Sequence, residues 1–506
     1  MAFVGTILQE LIKRRKYKKH QIDGVGLQKQ ELKKLLSKAQ NTQIGQKYDF
    51  AKILKSDNLT DTFRNQVPVY DYIKMLNEFW YKTKNSEANV TWPGKVKYFG
   101  LTSGTSDAAS KTVPITSDMI KAIRRTSLLQ LDTLSLFDFP ASFYEKSVLT
   151  LGGSTTLVKV DKHYEGDLSG IMQKSFPLWF SKFYKPGKKI NEVRDWGTKL
   201  QLITENAHKW DIGIIAGVPA WCQILIEKVI KHNNAKNIHE VWPNLQLYIH
   251  GGVSFAPYKE SFKKLMGKEI QYLETYLASE GFIAFRKADE NAMQLVLNNG
   301  MYYEFVPFNS DNFDSEGNFK ENPKVLSLNE VIECEEYALL VSTCAGAWRY
   351  LIGDTIKFTS LKDFEIVITG RTKHFLSLCG EHLSVDNMTK AVQLTAKELN
   401  ISVNEYTVQG IRYESLFAHQ WYIGCDQSVD NKVFAQKLDA NICSLNDDYA
   451  VERKEALRNV LVEIVPTQTF YSWMKLNGRE GSQNKFPRVL KKEQFVEWES
   501  FVNENK

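Results

Sequence analysis

Short apolar runs alternate with helical stripes along the middle of the chain. Val96 to Leu101 is long enough for a buried strand, and Thr112 to Thr116 reads as a strand returning from it. Ser117 to Leu136 follows with Ile120, Ile123, Leu128 and Leu131 along one helical face and Ser117 as its N-cap. Ser147 to Leu151, Trp210 to Ala216, Leu245 to His250 and Tyr272 to Ala278 are further strands. Three of them end in Gly152-Gly153, Gly217-Val218-Pro219 and Gly251-Gly252. Helices then run to about Lys231 and, opened by Pro257, to about Met266. Strand-then-helix repetition predicts a parallel α/β architecture, with ligands beyond the carboxyl ends of the strands.

From Ala292 the spacing changes. Met293 to Leu297, Tyr302 to Pro307, Ala338 to Thr343, Arg349 to Phe358 and Phe364 to Thr369 are strands with short links. They predict an antiparallel sheet or barrel-like part appended to the α/β core, with residues 309–323 as a polar surface loop. A domain boundary is placed at Gly370 to Lys373, separating residues 1–370 from 371–506. Beyond it come a strand near His374 to Leu378, a helix from Val385 to Leu399, and strands Tyr406 to Tyr413 and Gln420 to Gly424. A helix from Asn431 to Leu445 and a strand from Asn459 to Val465 complete a βαββαβ-like order. That order suits a small α+β domain of roughly 130 residues. Residues 27–90 read as helices broken near Asn41 and Pro68.

Composition narrows the classes. The 506 residues are too many for one ordinary domain, and 43% apolar content supports sizeable cores. The charge balance, 65 basic against 59 acidic residues, is no nucleic-acid signature at this length. The excess is local: residues 1–40 carry Lys13, Arg14, Arg15, Lys16, Lys18, Lys19, Lys29, Lys33, Lys34 and Lys38 against Glu10, Asp23 and Glu31. A solvated helix face is the expectation, with Phe3, Val4, Ile7, Leu8 and Leu11 docking on the domain. A membrane surface or acidic partner is the alternative. Gln9 and Glu10 interrupt the first apolar run, so no signal peptide is expected, and no run of eighteen apolar residues predicts a membrane span. Six scattered cysteines without Cys-x-x-Cys predict reduced thiols in a cytoplasmic protein rather than zinc or a redox pair. A monomer is expected.

The chemistry concentrates in a few stretches. Ser103, Gly104, Thr105 and Ser106, with Lys111 closing the loop, can wrap phosphate oxygens with backbone N–H groups, hydroxyls and a cation. The plain alternative is a Ser/Thr-rich turn. The P-loop pattern is absent, because Gly94-Lys95, Gly187-Lys188 and Gly267-Lys268 are followed by Val, Lys and Glu. Arg124 and Arg125 follow the loop; surface charges are expected, and one could reach a substrate carboxylate. Tyr276, Ser279 and Glu280 end a strand, where a tyrosine suits adenine stacking, a serine phosphate and a glutamate Mg²⁺. Asp354 can accept ribose hydroxyls. Gly370-Arg371-Thr372-Lys373, Gly380-Glu381-His382 and Asn484-Lys485-Phe486-Pro487-Arg488 complete the series.

In this order the motifs resemble those of the adenylate-forming enzymes. More narrowly, the chain resembles the Gretchen Hagen (auxin-responsive) acyl acid amido synthetase family, best known from auxin and jasmonate conjugation in plants. The resemblance runs from Gly45 to Tyr48 and Val67 to Val69 through to Lys485 to Arg488. It implies a large N-terminal adenylate-forming domain, a small C-terminal lid that swivels, and ATP with Mg²⁺. A carboxylic acid would be adenylated and its acyl group passed to an amine, usually of an amino acid. Carried over by residue, Ser103, Thr105 and Ser106 would hold phosphate and Lys111 would sit near the leaving pyrophosphate. Gly251 and Gly252 would pass beside adenine, and Tyr276, Ser279 and Glu280 would serve adenine, phosphate and metal. Asp354, assisted by Arg371, would hold ribose; Thr372 and Lys373 would be the hinge; Lys485 would be the mobile catalytic lysine. Glu381 and His382 are expected to shape the lid, a catalytic pair being the alternative. Asp107 and Ala108 depart from the family's glycines. Two other readings stay open: an adenylating ligase with a thiol acceptor such as coenzyme A, and a non-catalytic binding protein. Phe176, Trp179, Phe180, Phe183 and Trp221 favour an apolar or aromatic acid.

Overall fold

The computed structural model describes residues 2–15, 23–102, 111–174, 183–253, 255, 258–287, 292–314, 317–373, 375–381, 383–477, 486–490 and 492–504. The chain forms two compact units, one built from residues 1–102 and 112–372, the other chiefly from residues 373–506.

The first unit is organised on an eleven-stranded sheet. Its parallel half runs Tyr184–Lys185, Ser147–Leu151, Ile212–Gly217, Leu247–Gly251 and Gln271–Ala278. Ile212, Ile214, Ile215, Leu247 and Leu273 are buried, as strands covered on both faces require. Pro219 opens the helix Pro219–His232, where its missing N–H costs nothing. The antiparallel strands predicted after Ala292 are present as the other half of the same sheet. They run Gly281–Arg286, Met293–Leu295, Glu365–Arg371, Tyr350–Ser360, Glu336–Thr343 and Met301–Pro307. Gly281–Arg286 was not anticipated; the tight reversal at Ser279-Glu280 hid a second strand behind the end of the first.

Tyr98–Thr102 and Lys111–Ile115 belong to a separate four-stranded sheet with His163–Gly166 and Val158–Val160. The helix after them, Ser117–Asp132, is capped by Thr116 rather than by Ser117. The Thr116 hydroxyl accepts from Met119 N at 3.1 Å and donates to the Cys344 carbonyl at 2.7 Å, so one side chain starts the helix and fixes it to the antiparallel half.

The helix Gly24–Ala39 buries Leu32, Leu35 and Leu36. Gln28 reads the sheet edge, donating to the Leu297 and Met301 carbonyls and accepting from Tyr303 N. Arg349 secures the next helices. Its Nε donates to both Glu304 oxygens at 3.2 and 2.9 Å, and its Nη1 to the Arg64 and Val67 carbonyls at 2.7 and 2.6 Å. Both charges are buried, so each needs the other.

The helix Ala2–Arg15 docks on a different face from the one its sequence suggests. Gly5, Gln9 and Ile12 turn inward, whereas Ile7, Leu8 and Leu11 face solvent. Gly5 decides this, since any Cβ there would overlap the Ala141 carbonyl oxygen. The side chains of Phe3 and Val4 lie outside the described residues.

The second unit carries Glu405–Tyr413, Leu416–Gly424 and Leu457–Val465 as one sheet, antiparallel then parallel. Helices Val385–Leu399 and Asn431–Leu445 match their predicted bounds. Phe470, Trp473, Phe486 and Trp498 form an aromatic core beneath helices Thr467–Leu476 and Lys492–Glu504. The strand predicted near His374 shrinks to Phe375–Leu376, paired with Leu383–Ser384.

Candidate active site

Three of the sequence-predicted residues touch. Asp354 and Arg371 are register partners on adjacent antiparallel strands, and Arg371 Nε donates to Asp354 Oδ1 at 2.7 Å. The Tyr276 phenol donates to the other oxygen, Oδ2, at 2.5 Å. Each carboxylate oxygen keeps a further lone pair for a ligand hydroxyl. Burial alone would lower the Arg371 pKa, but Asp354, with Tyr276 and Glu280, raises it and holds the guanidinium charged. Burial, then the Asp354 charge, pushes the Tyr276 phenol well above its ordinary value, so it stays a donor. The Tyr276 ring itself is buried.

The turn that follows adds two residues. Ser279 Oγ donates to the Leu101 carbonyl at 3.0 Å, tying the turn to the strand that leads into residues 102–111. Glu280 is nearly buried, and its charge acts on Tyr276, Tyr350 and Arg371. Gly251 pairs with Thr275 at the end of its strand, and a Cβ there would overlap the Thr275 carbonyl. Gly251 and Gly252 therefore lie beside the stretch leading into Tyr276. Before them, His250 is buried against Phe255, and neither ring nitrogen has a hydrogen-bond partner among the described residues; burial and then Arg286 lower its pKa to about 3. It stands neutral at physiological pH.

Other expected residues fall differently. Ser103, Gly104, Thr105, Ser106, Asp107, Ala108, His382 and Lys485 lie outside the described residues, as do Phe176, Trp179 and Phe180. Lys111 opens its strand, half-buried; next to it Thr112 N donates to the Tyr72 hydroxyl at 3.2 Å. Arg125 is exposed and donates to the Asn298 carbonyl at 2.5 Å, the surface role. Arg124 is half-buried, and its Nε has no hydrogen-bond partner among the described residues. Trp221 stacks on Trp196 at 4.7 Å. Thr372 is buried, with its N–H on the Gly353 carbonyl at 2.8 Å.

Glu381 is fully buried in the second unit. It accepts from the Leu378, Cys379 and Gly380 N–H groups and lies 2.9 Å from His419 Nε2. Burial would raise its pKa; the His419 hydrogen bond and charge outweigh that and bring it to about 2. Sequence reasoning missed His419, which is 38 positions away on the strand Leu416–Gly424. It also missed Lys199, a buried lysine donating to the Gly152 and Gly153 carbonyls at 2.8 and 3.3 Å. No local pattern announces either one.

The fold is that of the adenylate-forming enzymes. An acyl acid amido synthetase solved with 2,4-DB matches at a TM-score of 0.59 and 16% identity, covering 99% of this chain and 96% of that one. A 2-hydroxyisobutyryl-CoA ligase solved with 2-HIB-AMP and CoA matches at 0.56 and 12% identity, covering 95% and 92%. Within that class the chain belongs to the GH3 family. Residues 15–190 and 134–270 match the family's N-terminal domain, 294–370 its central domain and 386–494 its C-terminal domain. Jasmonoyl–L-amino acid synthetase JAR4 of Nicotiana attenuata is 30% identical over 32% of this chain and 28% of its own length. Indole-3-acetic acid-amido synthetase GH3.4 of Arabidopsis thaliana is 25% identical over 60% and 54%. The chain thus spans about half, or less, of the curated relatives it matches.

Proposed function

We propose that this protein is an ATP-dependent ligase that adenylates a carboxylic acid and passes the acyl group to an amine, in the manner its GH3 relatives' names describe. The carrying observation is the Tyr276–Asp354–Arg371 cluster, with Glu280 beside it and Ser279 tied to the stem of the hydroxyl-rich loop. In this reading Asp354 accepts the ribose hydroxyls while Tyr276 and Arg371 keep its oxygens oriented. Gly251 and Gly252 let the base approach the backbone. Ser103, Gly104, Thr105, Ser106 and Lys111 hold the phosphates.

In the first step a carboxylate oxygen bonds to the α-phosphorus and the bond to pyrophosphate breaks. In the second, the amine nitrogen bonds to the acyl carbon, AMP leaves and the amine gives up a proton. Charge grows on phosphate oxygens in the first step, so Lys111 and Lys485 are the catalytic cations. Arg124, whose Nε has no hydrogen-bond partner among the described residues, lies on the helix after the loop and is a candidate for the acid's carboxylate.

The described residues hold no cluster of three or more potential metal-ligating side chains. Mg²⁺ would arrive on the triphosphate, keeping several of its waters, with Glu280 as a protein carboxylate beside it. The ion would neutralise phosphate charge. No described helix is long and apolar enough to cross a membrane. A cytoplasmic monomer is the proposed setting, and an apolar or aromatic acid the proposed substrate.

Pyrophosphate exchange across a panel of carboxylic acids, with hydroxylamine trapping the adenylate, tests the first step. Amino acids against coenzyme A as acceptor test the second. No exchange with any acid would leave a binding protein, and turnover with coenzyme A alone would make the acceptor a thiol.

A further inference from the structure

The helix Ala2–Arg15 is fastened along the side of Gly5, Gln9 and Ile12. Gly5 N donates to Glu145 Oε1 at 2.8 Å, Gln9 Nε2 donates to the Phe139 carbonyl at 2.8 Å, and Ile12 packs against the cluster of Phe139 and Phe143. The other side carries Ile7, Leu8 and Leu11, which are 43%, 37% and 52% exposed. The elements that pack against this helix add to the display. Leu128 on Ser117–Asp132 is 53% exposed, and Leu136 on the turn Thr133–Leu136 is 45% exposed. Single exposed aliphatic residues are ordinary, but five on three neighbouring elements are not.

Exposed bases outnumber exposed acids around them. Lys13 and Arg14 are exposed on the helix, and Lys121 and Arg125 on Ser117–Asp132, against the exposed acids Glu10 and Asp138 and the half-buried Asp132. In sequence, no acidic residue falls between Glu10 and Asp23, an interval that holds Lys13, Arg14, Arg15, Lys16, Lys18 and Lys19. A second copy of the same face would meet this one with like charge.

We propose that this face of the N-terminal helix docks on an anionic lipid bilayer. Ile7, Leu8 and Leu11 enter the boundary between headgroups and acyl chains, and Lys13 and Arg14 meet the lipid phosphates. The inward anchors Gly5, Gln9 and Ile12 hold the helix flat on the protein, so the apolar row is presented without unfolding. Such binding is peripheral and salt-sensitive.

The test is co-sedimentation of the full chain with phosphatidylcholine vesicles that contain or lack about one third phosphatidylserine. Pelleting with the anionic vesicles alone, reversed by salt, is expected. The triple variant Ile7→Ser, Leu8→Ser, Leu11→Ser, with its anchors intact and its melting temperature checked, should lose roughly tenfold in partitioning. Arg14→Glu, which leaves the apolar row untouched, should also weaken binding. Equal pelleting with both vesicle types, no pelleting, or wild-type binding by both variants would overturn the proposal. So would a concentration-dependent dimer abolished by the triple variant, which would give the face to a second copy.

Discussion

The Tyr276 hydroxyl and the Asp354 carboxylate meet at 2.5 Å although their strands stand four places apart in the sheet. In a flat sheet those strands would be roughly 19 Å apart. Two side chains cannot span that, so the antiparallel half must coil until its members face one another. The coil converts residues far apart in the chain into one polar cluster. It also gives that cluster a rigid base, because each member projects from a strand or the turn following one.

Asp354→Ala should weaken nucleotide binding severely. It removes the ligand's hydroxyl acceptor and the carboxylate that accepts from Arg371 Nε. A loss of about 3 kcal/mol, on the order of a hundredfold, is expected for a charged hydrogen-bonding group. Tyr276→Phe, which keeps the carboxylate, should cost only about 1 kcal/mol. Calorimetric titration with ATP separates them; equal losses would deny Asp354 its direct role.

Lys485→Ala should leave ATP affinity near wild type and slow pyrophosphate exchange on the order of a hundredfold, about 3 kcal/mol in the barrier. Exchange at the wild-type rate would show that this lysine does not serve the transferring phosphate.

Ser279→Ala frees the Leu101 carbonyl from its donor. The stem of the hydroxyl-rich loop then loses a contact worth about 1 kcal/mol. The KM for ATP should rise several-fold with kcat less affected, while Ser279→Thr, which retains the hydroxyl, should recover most of the loss. An unchanged KM for ATP in the alanine variant would separate the tether from nucleotide binding.

Glu381 makes the second unit acid-sensitive. Its folded pKa, about 2, lies below the ordinary 4.5. The folded state therefore binds fewer protons than the unfolded one in this interval. The stabilisation is fully present above pH 4.5 and is lost as pH falls toward 2. On the order of 3 kcal/mol should disappear across that window. Denaturant melts of wild type and Glu381→Gln measure it; parallel pH profiles would exclude the carboxylate as the source.

Period and punctuation made much of the architecture legible in the sequence. Ser147–Leu151, Val385–Leu399 and Asn431–Leu445 fall where apolar spacing and flanking turns put them. Gly281–Arg286 was missed because a tight turn leaves too little punctuation between two apolar runs. The N-terminal helix was turned the wrong way round because a helix apolar on two sides does not say which side docks; one glycine and the Ala141 carbonyl decide it. Asp354 and Arg371 were legible as residue types, and Arg371 does end its strand, but Asp354 sits inside Tyr350–Ser360. The Tyr276–Asp354 bond was not, since sheet coiling leaves no local mark, and the distant partner of Glu381 was hidden for the same reason.

The Arg349 guanidinium binds Glu304 on one side and the Arg64 and Val67 carbonyls on the other. An alanine scan scored by turnover alone would rank it among the catalytic residues, because its loss strands a carboxylate in the interior and releases the end of the helix Leu59–Gln66. Scored by melting temperature, the same variant would separate from any residue whose only duty is to hold nucleotide. Inactive alleles of this protein therefore have to be sorted by soluble yield before any of them is used to draw the reaction centre.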